Sequence, residues 1–470
     1  MKAGANRLVF QHAMDHALRF RSQVADRAQG PLRGFHDSLK AFSEPLPETG
    51  SAGVDVIDGL VEKAEPGLNC PTGPRFFGWV MGGSHPVGVA ADWLTSAWGQ
   101  NAGNHHASPS AAAAEAVAAH WLLELLDLPH RSSVGFVTGA TMANFVCIAA
   151  ARGEVLRRAG WDVEAKGLFG APPIHVLIGD DAHATVFSAL QFLGLGHDRV
   201  IRIATDGQGR MLPAAFAAAA GNVTGPAIAV MQAGQINTGA FDNFTELMPL
   251  ARRAGAWVHV DGAFGLWAKA CPPRAHLAEA VEQADSWATD GHKWLNVPYD
   301  SGYAFVADPE PHRRSMTHRA AYLAHAADAR DQVDWNPEHS RRARGFATYA
   351  ALRELGRAGV ADLVERCCRH ALAITSGIGE LRGAETVSLP RLNQGLVRFP
   401  DPRPNATPED HDRHTAAVIE RIQRGGEAFF GSTVWRRQRL MRVSVCNWRT
   451  NENDVRRAVE AVRLALAPTD

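Results

Sequence analysis

The chain has 470 residues, 46% apolar and 21% charged, which allows two to four domains or one large body with an appendage, and excludes wholesale disorder, collagen-like repeats and a coiled-coil rod. Lys and Arg total 48 against 49 Asp and Glu, a net charge of −1, so no global field recruits nucleic acid or an anionic membrane. A small neutral or zwitterionic ligand fits that balance better.

No run approaches the roughly 18 uninterrupted apolar residues of a membrane span; the alanine-rich stretch Ala111 to Leu126 is broken by Glu115, His120 and Glu124. Gln11, His12, Asp15 and His16 interrupt any secretory apolar region, which makes the cytoplasm the expected compartment. Six cysteines are few for this length. With only Cys367 and Cys368 close in sequence, neither a disulfide scaffold nor a C-x-x-C motif is present.

In chain order, helical patterning around Leu8 to Leu18 and Phe35 to Phe42 precedes a Pro/Glu/Gly linker, so residues 1–65 read as an N-terminal helical arm. From about Phe76, β-branched runs alternate with helical patterns: Val134–Val137, Ile174–Ile178, Val200–Ala204, Ala227–Met231, Trp257–Val260, Trp287–Thr289 and Tyr303–Val306. Strands separated by helices predict an α/β fold with a mostly parallel sheet covered on both faces, over residues 66–344. Beyond Arg344, helices Phe346–Leu355 and Val360–Leu381, strands near Leu396–Phe399 and Met441–Val445, and a last helix from about Glu452 to Leu466 outline a smaller α+β domain, residues 345–470.

Four short motifs stand just beyond predicted strands. Lysine occurs only at positions 2, 40, 63, 166, 269 and 293, and Lys293 alone follows a strand, in Asp290-Gly291-His292-Lys293-Trp294. Asp261 ends an apolar strand and precedes Gly262 and Ala263, and it reads equally as a helix N-cap or as a carboxylate awaiting a cation. The turn Thr138-Gly139-Ala140-Thr141 feeds a helix; it suits either a plain capped corner or an anion held by backbone N–H groups. His183 follows the strand at 174–178, and taken alone it is one of 21 histidines.

Their joint order, anion turn, His, Asp, Lys, is what pyridoxal 5'-phosphate requires: an amine for a Schiff base, a carboxylate at the pyridine nitrogen, a helix N-terminus for the phosphate and a flat cover for the ring. No metal is needed for this, and the neighbouring His105 and His106 lack a third ligand at helical spacing.

The runs Pro74-Arg75-Phe76-Phe77-Gly78-Trp79, Ala91-Asp92-Trp93-Leu94, Gly239-Ala240-Phe241-Asp242, Asp290-Gly291-His292-Lys293-Trp294-Leu295 and Met441-Arg442-Val443-Ser444-Val445 carry a resemblance to the group II pyridoxal-phosphate-dependent amino acid decarboxylases, which include the aromatic amino acid, histidine and glutamate enzymes. The resemblance runs from about Phe76 to the end. It implies the type I, aspartate aminotransferase-like fold, an amino acid substrate, a homodimer with composite sites, and decarboxylation to an amine and CO2 through an aldimine and a quinonoid. It also implies roles for residues. Lys293 would be the Schiff-base lysine, Asp261 the pyridinium partner, Ala263 a ring-face contact and His183 the stacking imidazole. Ala140, Thr141 and His292 would be phosphate contacts, and Asp290 a further cofactor-binding residue. Trp79 and Val80 map onto the substrate pocket, and Asn101 and Gly103 onto the part lent by the other subunit. Tyr322, in Ala321-Tyr322-Leu323, would be the proton donor of a mobile loop. Asp290 replaces the asparagine common in these decarboxylases and is similar to the sphingosine-phosphate lyases, so a carbon–carbon lyase is the alternative, with an aldehyde synthase as a further one.

Overall fold

Seven runs rich in β-branched and aromatic residues build the central sheet of a computed structural model that describes residues 3–317 and 330–467. In chain order they are β1 (Ser133–Val137), β2 (His175–Gly179), β3 (Ile201–Ile203), β4 (Ala227–Gln232), β5 (Trp257–Asp261), β6 (Ser286–Asp290) and β7 (Gly302–Val306). Their spatial order is β1-β7-β6-β5-β4-β2-β3. Strand β7 runs antiparallel to β1 and β6, and all other pairings are parallel. Every residue of β1, β4, β5, β6 and β7 is buried, as expected of strands covered on both faces.

The helix Ala140–Arg158 lies across β6 and β7, burying Ala143, Val146, Cys147, Ala150 and Ala151. Small side chains on that face let it approach the sheet closely, while its first turn emerges at the edge where β1 ends. Gly302 makes the corner possible: a Cβ there would lie 2.4 Å from Gly139 Cα. A buried relay then ties this helix to β5. His259 Nε2 bonds Asn144 Oδ1 at 2.9 Å, and its Nδ1 meets Ser286 Oγ at 3.0 Å. Burial pushes this imidazole down to about 3, so it is neutral.

Contacts divide the chain differently from the expected 1–65, 66–344 and 345–470. One unit comprises Met1–Trp79, His370–Leu389 and Leu396–Asp470, and the other Val80–Arg369 and Pro390–Gly395. The first residues therefore belong with the C-terminal segment. Phe76–Phe77 pairs in parallel with Phe429–Trp435, at the edge of a five-stranded sheet that continues through Gln438–Ser444, Gln394–Arg398 and Glu385–Ser388. Arg75 is buried, bonds Asp454 Oδ1 at 2.8 Å and donates to the carbonyls of Glu427 and Ala25. Removing one partner of such a pair costs about 3–5 kcal/mol, which is ample to fasten the segment.

The second boundary moved as well. The two helices expected after Arg344 share the span Gly345–Gly379 and are separated at Gly356, whose φ of 60° and ψ of 179° are not helical, and the division between units falls inside the second of them. A helix at Gly53–Ala64 stands where the linker ends. Among the described residues no helix is long and apolar enough to cross a membrane.

Candidate active site

The parallel strands β5 and β6 end side by side, with Asp261 in register with Ala288, and this edge opens into a cavity of about 330 Å³. Its walls include Ala140, Thr141, His183, Asp261, Ala263, Asp290, His292 and Lys293, so the four strand-end motifs converge on one space.

Asp261 is buried and accepts one side-chain hydrogen bond among the described residues, from Ala263 N–H at 3.2 Å, with no cation beside it. A carboxylate in that state is costly unless a ligand supplies the partner. At the other end of the site Asp290 is better held. Its Oδ1 accepts from Ala140 N–H at 2.5 Å, and its Oδ2 lies 2.8 Å from Lys293 Nζ. His292 Nε2 is 3.4 Å from Oδ1 of the same residue. Ser301 N–H donates to His292 Nδ1, and Tyr299 stacks on the ring at 4.2 Å. Desolvation pulls the His292 pKa down, against the opposing pull of Asp290, so the ring is neutral.

His183 caps the helix Ala184–Phe192, its Nδ1 accepting from Thr185 N–H at 3.3 Å and lying 2.8 Å from Thr185 Oγ1. That bond holds the ring in the wall of the cavity. Lys293 is fixed from behind by a segment to which sequence reasoning gave no role. Gly82 N–H donates to His292 O, Gly83 N–H donates to Asn296 Oδ1, and a Cβ on Gly82 would lie 2.2 Å from Lys293 O. The paired glycines were the available signal. Gln232, Phe264 and Tyr299 also line the cavity without having been singled out.

The residues mapped to the substrate pocket lie elsewhere. Val80 is buried, Asn101 accepts from Arg341 N–H at 3.1 Å, and Gly103 packs under His339 O; none of the three is in the cavity wall. Trp79, in the other unit, stacks on Phe429 at 5.6 Å and Phe76 at 6.0 Å and is half exposed. Tyr322 falls outside the described residues.

A family model, the pyridoxal-dependent decarboxylase conserved domain, matches residues 37–400. The chain belongs to this family. Among curated relatives of this decarboxylase, tryptophan decarboxylase 1 of Oryza sativa subsp. japonica is 30% identical, the match covering 91% of this chain and 86% of the relative. L-2,4-diaminobutyrate decarboxylase of Rhizobium meliloti is 28% identical over 92% and 85% of the two chains. The crystal structure of Oryza sativa TDC with PLP and tryptamine superposes with a TM-score of 0.89 at 25% identity, covering 99% of this chain and 98% of that one. The protein is a pyridoxal-phosphate-dependent carboxy-lyase of the type I fold. Its cavity suits that cofactor, because a buried carboxylate without a cation, a helix N-terminus and a lysine amine face the same space.

Proposed function

We propose that the enzyme decarboxylates an L-amino acid to the corresponding amine and CO2, with Lys293, Asp261, His183 and Tyr322 as the catalytic groups. The observation that carries this is the pairing, in one cavity, of the amine of Lys293 with the cation-free buried carboxylate of Asp261. The amino acid decarboxylases among the relatives support it.

Pyridoxal phosphate, when bound, supplies the electron sink for the pair of electrons left by CO2. Lys293 would hold the cofactor through its amine, as the chain's nucleophile in the cavity. Asp261 holds a proton at the ring nitrogen, and burial strengthens that interaction. His183, in the cavity wall, would cover the ring of the bound cofactor. Ala140, Thr141 and His292 would hold its phosphate and Ala263 would contact its ring face, while Asp290, 2.8 Å from Lys293 Nζ, would orient the lysine. Tyr322 delivers the proton to Cα and keeps water and oxygen away.

The working unit is a homodimer in which Asn101 and Gly103 complete the neighbour's pocket beside Trp79 and Val80. Support comes from the helices Phe35–Phe42 and Gly53–Ala64, which bury none of their residues within one chain, and from Phe10, Leu32 and Phe35, each at least 70% exposed. Six free, buried thiols agree with a cytoplasmic setting.

The test is a screen of the common protein and non-protein amino acids for CO2 and amine, with pyridoxal phosphate present. Stoichiometric amine and CO2 from at least one of them supports the proposal, and carbon–carbon cleavage without CO2 overturns it in favour of an aldol-type reaction. A second reading, aldehyde synthesis, is favoured by 4-hydroxyphenylacetaldehyde synthase of Rhodiola rosea, a relative at 25% identity. Aldehyde, ammonia and peroxide as the parental products would select it. Tyr322→Phe should move the parent toward those products while the cofactor stays bound.

A further inference from the structure

Far along the chain from Lys293, two helices of the other unit bring together side chains that the decarboxylation does not use. Among the described residues, His12, His16 and Asp58 place one ligand-type atom each within 4.8 Å of one another. His12 and His16 are four residues apart on the helix Ala3–Gln23, the spacing that lets two imidazoles on one helical face reach a single ion. Asp58 comes from the helix Gly53–Ala64.

We propose that His12, His16 and Asp58 form a binding site for a first-row transition ion, with Zn2+ as the ion that fits, which fastens the first helix to the helix at 53–64. Both imidazoles converge on one oxygen: His12 Nδ1 lies 3.3 Å and His16 Nε2 2.6 Å from Asp58 Oδ1. With metal–ligand bonds of about 2.0–2.1 Å, neighbouring ligands of a tetrahedral ion stand roughly 3.3 Å apart, so the His12 edge already has the right length. The His16 edge, at 2.6 Å, is shorter by about 0.7 Å, a gap that a small rotation of the Asp58 side chain would open.

Two imidazoles and one carboxylate select zinc, nickel, cobalt or copper over calcium and magnesium, which prefer all-oxygen shells. Within one chain the side chains are 40%, 20% and 46% exposed, which leaves room for water in the fourth position. The frame beneath is tight, for a Cβ on Gly53 would lie 2.8 Å from Val9 Cγ2. One feature limits the strength of the site. His16 Nδ1 is buried without a hydrogen-bond partner, whereas metal-bound imidazoles usually donate their second N–H. The dissociation constant should therefore be on the order of 1 μM rather than nanomolar.

The experiment is a titration of the cofactor-loaded enzyme with Zn2+ alone, against a chromogenic chelator, for the parent, His16→Gln, Asp58→Asn and His12→Gln. The parent should bind one more equivalent per chain than the variants, and each variant should weaken that equivalent by more than the roughly 10–100-fold lost when only an outer partner is removed. Zn2+ should raise the melting temperature of the parent and leave that of Asp58→Asn unchanged, because an ion held only by the folded state stabilises it. The visible absorbance of bound cofactor reports that each variant is folded, and His12→Gln, at the most accessible of the two histidines, covers the case in which another fails to fold. Equal zinc stoichiometry and affinity in parent and folded variants, or no zinc-dependent shift in the parent, would overturn the site.

Discussion

Two arrays of buried charge meet β1 and the turn that follows it, and they are built on opposite terms. In one, Glu115 and Arg341 are both fully buried and joined at 2.7 Å, with Arg330 Nε 3.8 Å from the other carboxylate oxygen. Arg341 also donates to the carbonyls of Ala102 and Phe136, and Arg330 to that of Val134. In the other, Asp290 and Lys293 pair at 2.8 Å but stand in the wall of an open cavity, and Asp261 in the same wall has no cation beside it among the described residues. Charges closed in on one another hold the fold. Charges that face empty space are available for a ligand.

The largest test of that contrast is Lys293→Ala. Activity should fall by at least about 10⁴-fold, and borohydride should no longer fix cofactor to the chain. Folding stability should change little, since the ammonium has one carboxylate partner and an open side. An adduct recovered on Lys269 from the parent would show that the wrong lysine has been assigned.

Glu115→Ala should do the reverse. It strands two guanidinium groups in the interior and should cost about 3–5 kcal/mol in urea denaturation, while the molecules that remain folded keep their cofactor absorbance. A loss below about 1 kcal/mol, near that of an exposed pair, would mean that this array is no more structural than the surface. Asp261→Ala comes next, with an expected loss of about 100-fold in kcat/KM, roughly 2.7 kcal/mol of transition-state stabilisation. A variant within about tenfold of the parent would remove Asp261 from the chemistry.

The cavity array was legible in the sequence for a topological reason. In a parallel sheet the residues just beyond successive strands collect at one edge, so His183, Asp261, Lys293 and the Gly139-Ala140-Thr141 turn could be grouped without knowing any distance. Partners that come from outside that edge left no such trace. Gly82 and Gly83, which brace the lysine loop, precede the first strand of the sheet by some fifty residues. The Phe76–Phe429 pairing joins the two ends of the chain, and FFGSTVW, with glycine and serine in its middle, lacks the pattern of a strand. His12 and Asp58 are separated by 46 residues and sit on helices whose packing no local period announces.

The smallest expected effect concerns the residue where the two kinds of array overlap. Asp290 is as enclosed as a structural charge, 2% exposed, yet its oxygens bond a helix N-terminus and Lys293 in the cavity wall. Asp290→Asn keeps the shape and an acceptor for Ala140 N–H, and removes a negative charge that confronts the incoming phosphate. The amide also brings N–H donors of its own. Cofactor affinity, measured by the return of visible absorbance to stripped enzyme, should rise by about tenfold, or 1.4 kcal/mol. Weaker binding would mean that the Lys293–Asp290 pair contributes more to holding the lysine in place than the carboxylate costs in repulsion. Asp290 would then belong with Glu115 among the charges that serve the fold.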